Sequence, residues 1–194
     1  MEIYTCKHFK INELVPYDYY EKYKDQEWKL WMMFDDRALI TIDLIREFID
    51  IPIIINSQNY HGSKFDLSGV RPENANTGAM FSQHKFGRAF DLKFYSDKWT
   101  PEKLRLYMKE IGCFNEGFRN NFNYSFLDLK DYNKKDRLID YISNKLNIQT
   151  IEFIPFMFIT RIEWAYYNNP NKEMSWFHLD IGNSISSKIE IIFI

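Results

Sequence analysis

Over residues 35–50, "DDRALITIDLIREFID", apolar side chains recur at Leu39, Ile42, Ile45 and Ile49, while Asp36, Asp43, Glu47 and Asp50 fall on the opposite side of a 3.6-residue period. The pattern predicts a surface helix with one buried stripe. It runs directly into "IPIII" (51–55), a short apolar run with β-branched residues that reads as a buried strand. Residues 56–80, "NSQNYHGSKFDLSGVRPENANTGAM", follow neither period and are rich in Gly, Asn and Ser, which predicts a long loop. Loops of that length in compact domains are often functional.

"GRAFDLKFY" (87–95) reads as a strand, and "TPEKLRLYMKEIG" (100–112) carries full helix punctuation. Thr100 can cap, Pro101 suits the first helical position, Leu104, Tyr107, Met108 and Ile111 form the stripe, and Gly112 suits the stop. A polar, Asn- and Lys-rich stretch (114–135) and a helical pattern over 136–146, with Leu138, Ile142 and Leu146 inward, suggest a peripheral insertion spanning 114–149. Three strand-like segments close the chain: "FMFITRIEWAYY" (157–167), "SWFHLDIG" (175–182) and "KIEIIFI" (188–194), the first two joined by the turn signal "NNPN". Helices and strands without strict alternation predict an α+β class with a mainly antiparallel sheet flanked by helices.

At 194 residues, one domain spanning 1–194 is expected, since two halves would each have a thin core. The apolar share of 45% and aromatic share of 18% support a substantial core and argue against disorder. A net charge of -2 offers no basic field for nucleic acid and no polybasic face for an anionic membrane. Cys6 and Cys113 are too few for a disulfide framework or a four-cysteine zinc knuckle. The N-terminal stretch lacks a signal-peptide core and no segment approaches a membrane span, so synthesis and folding in a cytoplasm are expected.

The chemistry concentrates in "SQHKFGRAFD" (82–91) and "SWFHLD" (175–180). His84 ends the long loop and Gly87 permits a tight turn before the strand. Along that strand Ala89 and Asp91 share a face, so Asp91 can aim near His84 with the small Ala89 leaving room beside it. His178 lies within a strand, with Trp176 and Asp180 on its own face. Two imidazoles and a carboxylate give three ligands and an open fourth position, the catalytic form of a zinc site. A lone histidine on an apolar strand is ordinarily a satisfied core residue. The joint spacing S-x-H-x-x-G-x-A-x-D is another matter, arising by chance in a chain this long on the order of once in ten thousand.

"SQHKFGRAFD", "SWFHLD" and the upstream "SGVR" (68–71) resemble the zinc D-alanyl-D-alanine peptidases, which include VanX-like and VanY-like carboxypeptidases and many phage endolysins, with the hedgehog zinc-binding domain as a relative. The similarity is greatest to short phage-type members and covers roughly 8–112 and 155–183. It implies a hedgehog-like fold, with His84, Asp91 and His178 as zinc ligands and Ser82 in a supporting, orienting role. It also implies that Arg71 contacts a substrate carbonyl or carboxylate, the alternative being a solvated loop arginine.

One departure concerns catalysis. Many carboxypeptidase members carry an acidic residue three positions before the last histidine as general base, and here that position is Ser175. A serine cannot exchange a proton at neutral pH as a carboxylate does. Three carboxylates could substitute: Asp180, which faces the metal side or supports His178; Glu173, on the opposite face unless the strand bulges; and Glu163 in "TRIE", which shares the face of His178 if residues 167 and 172 pair and 163 faces 176. The phage-type resemblance favours Glu163.

The resemblance implies a zinc peptidase acting on bacterial peptidoglycan peptide. An endolysin released at lysis, or a virion component delivered with tail proteins, would reconcile that substrate with the missing export signal. The alternative is a non-catalytic, zinc-stabilised binding or virion structural domain that keeps the ligand triad without the base.

Overall fold

Asp35 starts the longest helix among the described residues by accepting a hydrogen bond from Arg37 N at 3.1 Å through its side chain, and the helix ends where Asp50 turns left-handed at φ 51°. A computed structural model describes residues 3–57, 65–114, 156, 158–165, 174–182 and 189–193. Its helices are α1 (Tyr17–Tyr23), α2 (Trp28–Trp31), α3 (Asp36–Ile49) and α4 (Pro101–Glu110). The strands are β1 (Ala89–Leu92), β2 (Arg161–Ala165), β3 (Phe177–Asp180) and β4 (Glu190–Phe193). The class is α+β.

α3 is not the surface helix its periodicity predicts. Ile40, Asp43 and Leu44 are buried along with the expected stripe. The reason is the N-terminal segment, which crosses the supposed polar face: Tyr4 Oη donates to Asp43 Oδ2 at 2.7 Å, and the backbone N–H groups of Lys7 and His8 donate to the same carboxylate at 2.8 and 3.1 Å. Burial that would isolate an acid is here matched by three donors.

α4 follows its sequence punctuation. Thr100 Oγ1 accepts from Lys103 N at 3.2 Å, Pro101 opens the helix, and Gly112 beyond its end sits at φ 84°. The run 51–55 is not a strand buried on both faces. Ile53 and Ile55 are buried but Ile54 is half exposed, and one bridge, Ile54 to Lys93, joins it to the end of β1. The run is too short and too one-sided to extend the ladder.

The sheet order is β1-β3-β2-β4. β3 pairs antiparallel with β1 and β2, and β4 runs parallel to β2, so the fourth strand departs from the antiparallel pattern. In register, Asp91 faces His178, Ala89 faces Asp180, and Arg161 faces Asp180 from the other side. Period-2 alternation then separates the faces. Phe90, Leu92, Ile162, Phe177 and Leu179 are wholly buried on one, with Phe34 stacked on Phe90 at 5.6 Å. Ala89, Asp91, Arg161, Glu163, His178 and Asp180 occupy the other.

The 167–172 pairing, the "NNPN" turn, Glu173, and positions 115–149 of the expected insertion lie outside the described residues. Within the described part, Arg161 pairs with Asp180 and Ile162 with Leu179, so continuing the ladder sets Glu163 opposite His178 and not Trp176. The expected register is displaced by two residues. A two-residue shift keeps the face, so Glu163 still stands on the side of His178.

Candidate metal centre

His84 sits in a single 3-10 turn, Gln83–Phe86, which Gly87 ends at φ 62°. A Cβ on Gly87 would strike the Met33 carbonyl oxygen, so both the dihedral and the space require glycine. The loop segment before the turn lies beside β1: Asp91 N donates to Ser68 O at 2.8 Å and Arg71 N to His84 O at 3.1 Å. Those bonds bring the Gly69 carbonyl to His84 and the Arg71 side chain to Asp91.

Three donor atoms meet between these elements. His84 Nε2 lies 3.4 Å from both His178 Nδ1 and Asp91 Oδ1, and His178 Nδ1 lies 2.7 Å from Asp91 Oδ1. A four-coordinate metal with bonds of about 2.0–2.1 Å has a tetrahedral edge of about 3.3–3.4 Å. Two of the three separations equal that edge, and the third is shortened by a hydrogen bond that a metal would replace. The buried His84, Asp91 and His178 group could therefore hold a metal ion.

The outer atoms of the cluster are occupied. His84 Nδ1 lies 2.8 Å from the Gly69 carbonyl, so it carries the proton and leaves the Nε2 lone pair toward the cluster. His178 Nε2 lies 3.8 Å from Asp180 Oδ2. Asp180 is itself fixed by Thr160 Oγ1 at 2.8 Å, Gly182 N at 3.2 Å and Arg161 Nη2 at 2.9 Å. Asp91 Oδ2 accepts from Arg71 Nη2 at 3.0 Å. Each inner ligand thus has an orienting partner.

The electrostatics follow from burial and these neighbours. Burial lowers the pKa of His84 and keeps it neutral. Burial also opposes charge on His178, but the carboxylates of Asp180 and Asp91 outweigh it and push its pKa up to about 10. Asp91 is held well below the usual carboxylate range, chiefly because the hydrogen bond from His178 overcomes its desolvation. Desolvation raises Glu163, offset in part by His178 and by a hydrogen bond from the Trp176 side chain.

A cleft of about 440 Å³ opens on the cluster, walled by Arg71, Gln83, Arg161, Glu163 and Trp176. Arg71 is not a solvated loop arginine: its side chain is 11% exposed, with Nε on the Leu67 carbonyl at 2.6 Å. Ser82 lines the cleft at the cap of the 3-10 turn, where its carbonyl accepts from Lys85 N at 2.9 Å. Ser175 is exposed on the wall of a neighbouring cleft instead.

Sequence reading missed three supporting residues. Arg161 pins Asp180; the alternation R-x-E in "TRIE" was its signal, since it puts Arg161 and Glu163 on one face. Lys93 donates to the carbonyls of Ile55 and Asp91 at 3.2 and 3.0 Å and to the Ser68 hydroxyl, tying the loop to β1. Arg105, wholly buried, donates to the Glu163 carbonyl at 2.8 Å and to the Trp176 carbonyl, joining β2 to the start of β3. A charged residue in the polar positions of a helix gives no hint of such a contact.

The fold and the cluster together define an α+β protein with a candidate two-histidine, one-aspartate metal centre at the floor of a cleft. Comparison with family models, curated proteins and solved structures gives no match.

Proposed function

We propose that the protein is a zinc metallopeptidase that hydrolyses an amide bond in bacterial cell-wall peptide, at a D-alanine or a neighbouring D-centre. One observation carries the reading: His84 Nε2, Asp91 Oδ1 and His178 Nδ1 converge while their outer atoms are held elsewhere, and Glu163 lines the same cleft. His84, Asp91 and His178 would hold the zinc, whose affinity for mixed imidazole and carboxylate donors suits this set. Bound zinc would supply a water with pKa near about 7 and polarise the scissile carbonyl.

The chain's own groups divide the remaining work. Glu163 takes a proton from the attacking water and returns it to the leaving amine, and its upward-shifted pKa brings it closer to the operating pH of such a base. The Trp176 side chain orients its carboxylate. Asp180, paired with Arg161 and Thr160, is committed to His178 and not to proton transfer. Arg71 is braced by Leu67 and Asp91, and its Nη1, beside Gly78, makes no hydrogen bond to a described residue; it is the donor for a substrate oxygen.

The substrate class rests on the likeness of "SQHKFGRAFD", "SWFHLD" and "SGVR" to the D-alanyl-D-alanine peptidases and phage endolysins. The protein then reaches the wall either at host lysis or as part of a virion. Ser175 favours the second reading, a zinc-stabilised binding or virion structural domain without turnover. The deciding experiment is digestion of purified walls by zinc-loaded protein: release of new amino groups supports the peptidase, and their absence from every wall type, with zinc bound, supports the binding domain.

A further inference from the structure

Beyond the metal centre the sheet continues into a second cleft of about 570 Å³. The two clefts share their strands. On β1 and its extension, Asp91 lines the first, and Lys93, the next residue on that face, lines the second. At the start of β3, Trp176 lines the first and Ser175 and Met174 the second. Lys93 and Trp176 therefore form a ridge between them, with the metal cluster just beyond.

The character of the second cleft is apolar. Ile54, Phe65 and Tyr95, which are 48%, 36% and 84% exposed, all stand on its wall. Large apolar side chains gathered in one concavity mark a binding site more than a packing defect. Among the described residues, its two charged wall residues are already engaged: the Lys93 ammonium on Ile55, Ser68 and Asp91, and Glu102 on Arg105 Nη1 at 3.2 Å. An occupant would meet no unengaged charge from either.

We infer that this cleft is a subsite for an uncharged, apolar stretch of the same peptide whose scissile amide lies at the metal cluster, so that the substrate is an extended peptide and not a dipeptide. The inference rests on the peptidase reading for the location of the scissile bond. Continuity of the strands supplies the path, and the exposed Ile54, Phe65 and Tyr95, with no unengaged charge among the described wall residues, supply the chemical class.

The test compares the dipeptide D-Ala-D-Ala with a longer D-alanyl peptide carrying an aliphatic residue. Hydrolysis is followed with zinc-loaded protein, and equilibrium binding with zinc-loaded Glu163→Gln. The subsite predicts that the longer peptide is preferred in kcat/KM and in binding by about tenfold or more, the discrimination that an apolar pocket gives. Ser175→Trp, which fills the cleft from an exposed position, and Tyr95→Ala, which strips its wall, should each abolish most of that preference while zinc content and dipeptide handling stay unchanged. Equal handling of the two peptides by the unaltered protein, or a preference that survives both variants, overturns the subsite and leaves the peptidase intact. Binding preference without hydrolysis retains the subsite and overturns the peptidase, and absence of both binding and hydrolysis removes both.

Discussion

Asp91 Oδ1 lies 2.7 Å from His178 Nδ1 across the β1–β3 ladder, at the one position where these two residues are direct partners in register. An imidazole and a carboxylate pressed together in a buried site form either an ion pair or two-thirds of a metal triad, and His84 at 3.4 Å makes the latter available. Purified protein is expected to contain near one zinc per chain, with His84→Ala and Asp91→Ala each losing it. Zinc at a hundred times its dissociation constant should raise stability by about 2.7 kcal/mol, visible as a higher Tm. An unchanged Tm on adding zinc to stripped protein would count against the centre.

Proton linkage gives a second check. His178 must lose its proton to ligate, and without metal its pKa stands at about 10. Zinc binding at neutral pH should therefore release about one proton per site, measurable by calorimetry in buffers of different ionisation enthalpy. In the metal-free protein the protonated His178 stabilises the fold on the acid side. A histidine raised above its unfolded value of about 6.5 contributes its full stability below that pH and loses it as pH rises through about 10. Binding without proton release would show that His178 is neutral and that Asp91 does not hold its proton.

Glu163 carries the proposed proton transfer. Replacement by Gln should lower hydrolysis by about 10²–10⁴-fold at unchanged zinc content. Since the base acts ionised, the rate should climb with pH along an acidic limb set by this carboxyl. If Glu163→Gln retains that acidic limb at full amplitude, another group is the base.

Much of the centre was legible because local spacing carried it. In "GRAFD" the two-residue period puts Ala89 and Asp91 on one face, and Gly87 announces the turn that delivers His84. Glu163 survived an incorrect register because the error was an even number of residues. What could not be read was set by distant chain. Asp43 falls on the polar side of its helix by period, yet the N-terminal segment covers it. The run 51–55 looks like a buried strand, yet among the described residues a single bridge, Ile54 to Lys93, joins it to the end of β1. Arg105 pairs locally with Glu102, but its contacts that join β2 to β3 leave no pattern, since those partners are backbone carbonyls 58 and 71 residues away.

Asp180 tests whether the support behind His178 matters. Asp180→Asn keeps the shape but removes the charge that faces His178 Nε2 and pairs with Arg161. Loss of such a partner typically weakens metal affinity by about 10–100-fold. The expected result is weaker zinc binding, read by competition with a chelator, with the fold retained by circular dichroism. Unchanged affinity would assign Asp180 to the Arg161 pair alone.

Asp43 offers a control far from the cleft. It is buried, and its carboxylate accepts from Tyr4 Oη, Lys7 N and His8 N, so it fixes the N-terminal segment on α3. Hydrogen bonds to a charged group contribute about 1.5–3 kcal/mol each in isolation, but shared acceptors and a segment free to move into water reduce the sum. Asp43→Ala should therefore lower stability by about 2–4 kcal/mol in chemical denaturation. Burial raises the pKa of this carboxyl against the pull of its donors. Folding then favours its protonated form, so stability should fall as pH rises from the unfolded value of about 3.9 through the raised folded one. Asp43→Asn should remove that pH dependence while keeping part of the stability. Zinc affinity should be the same in all three proteins, because the groups that donate to the carboxylate, on Tyr4, Lys7 and His8, all lie in the N-terminal segment; a drop in affinity would show that the N-terminal segment and the metal centre are coupled.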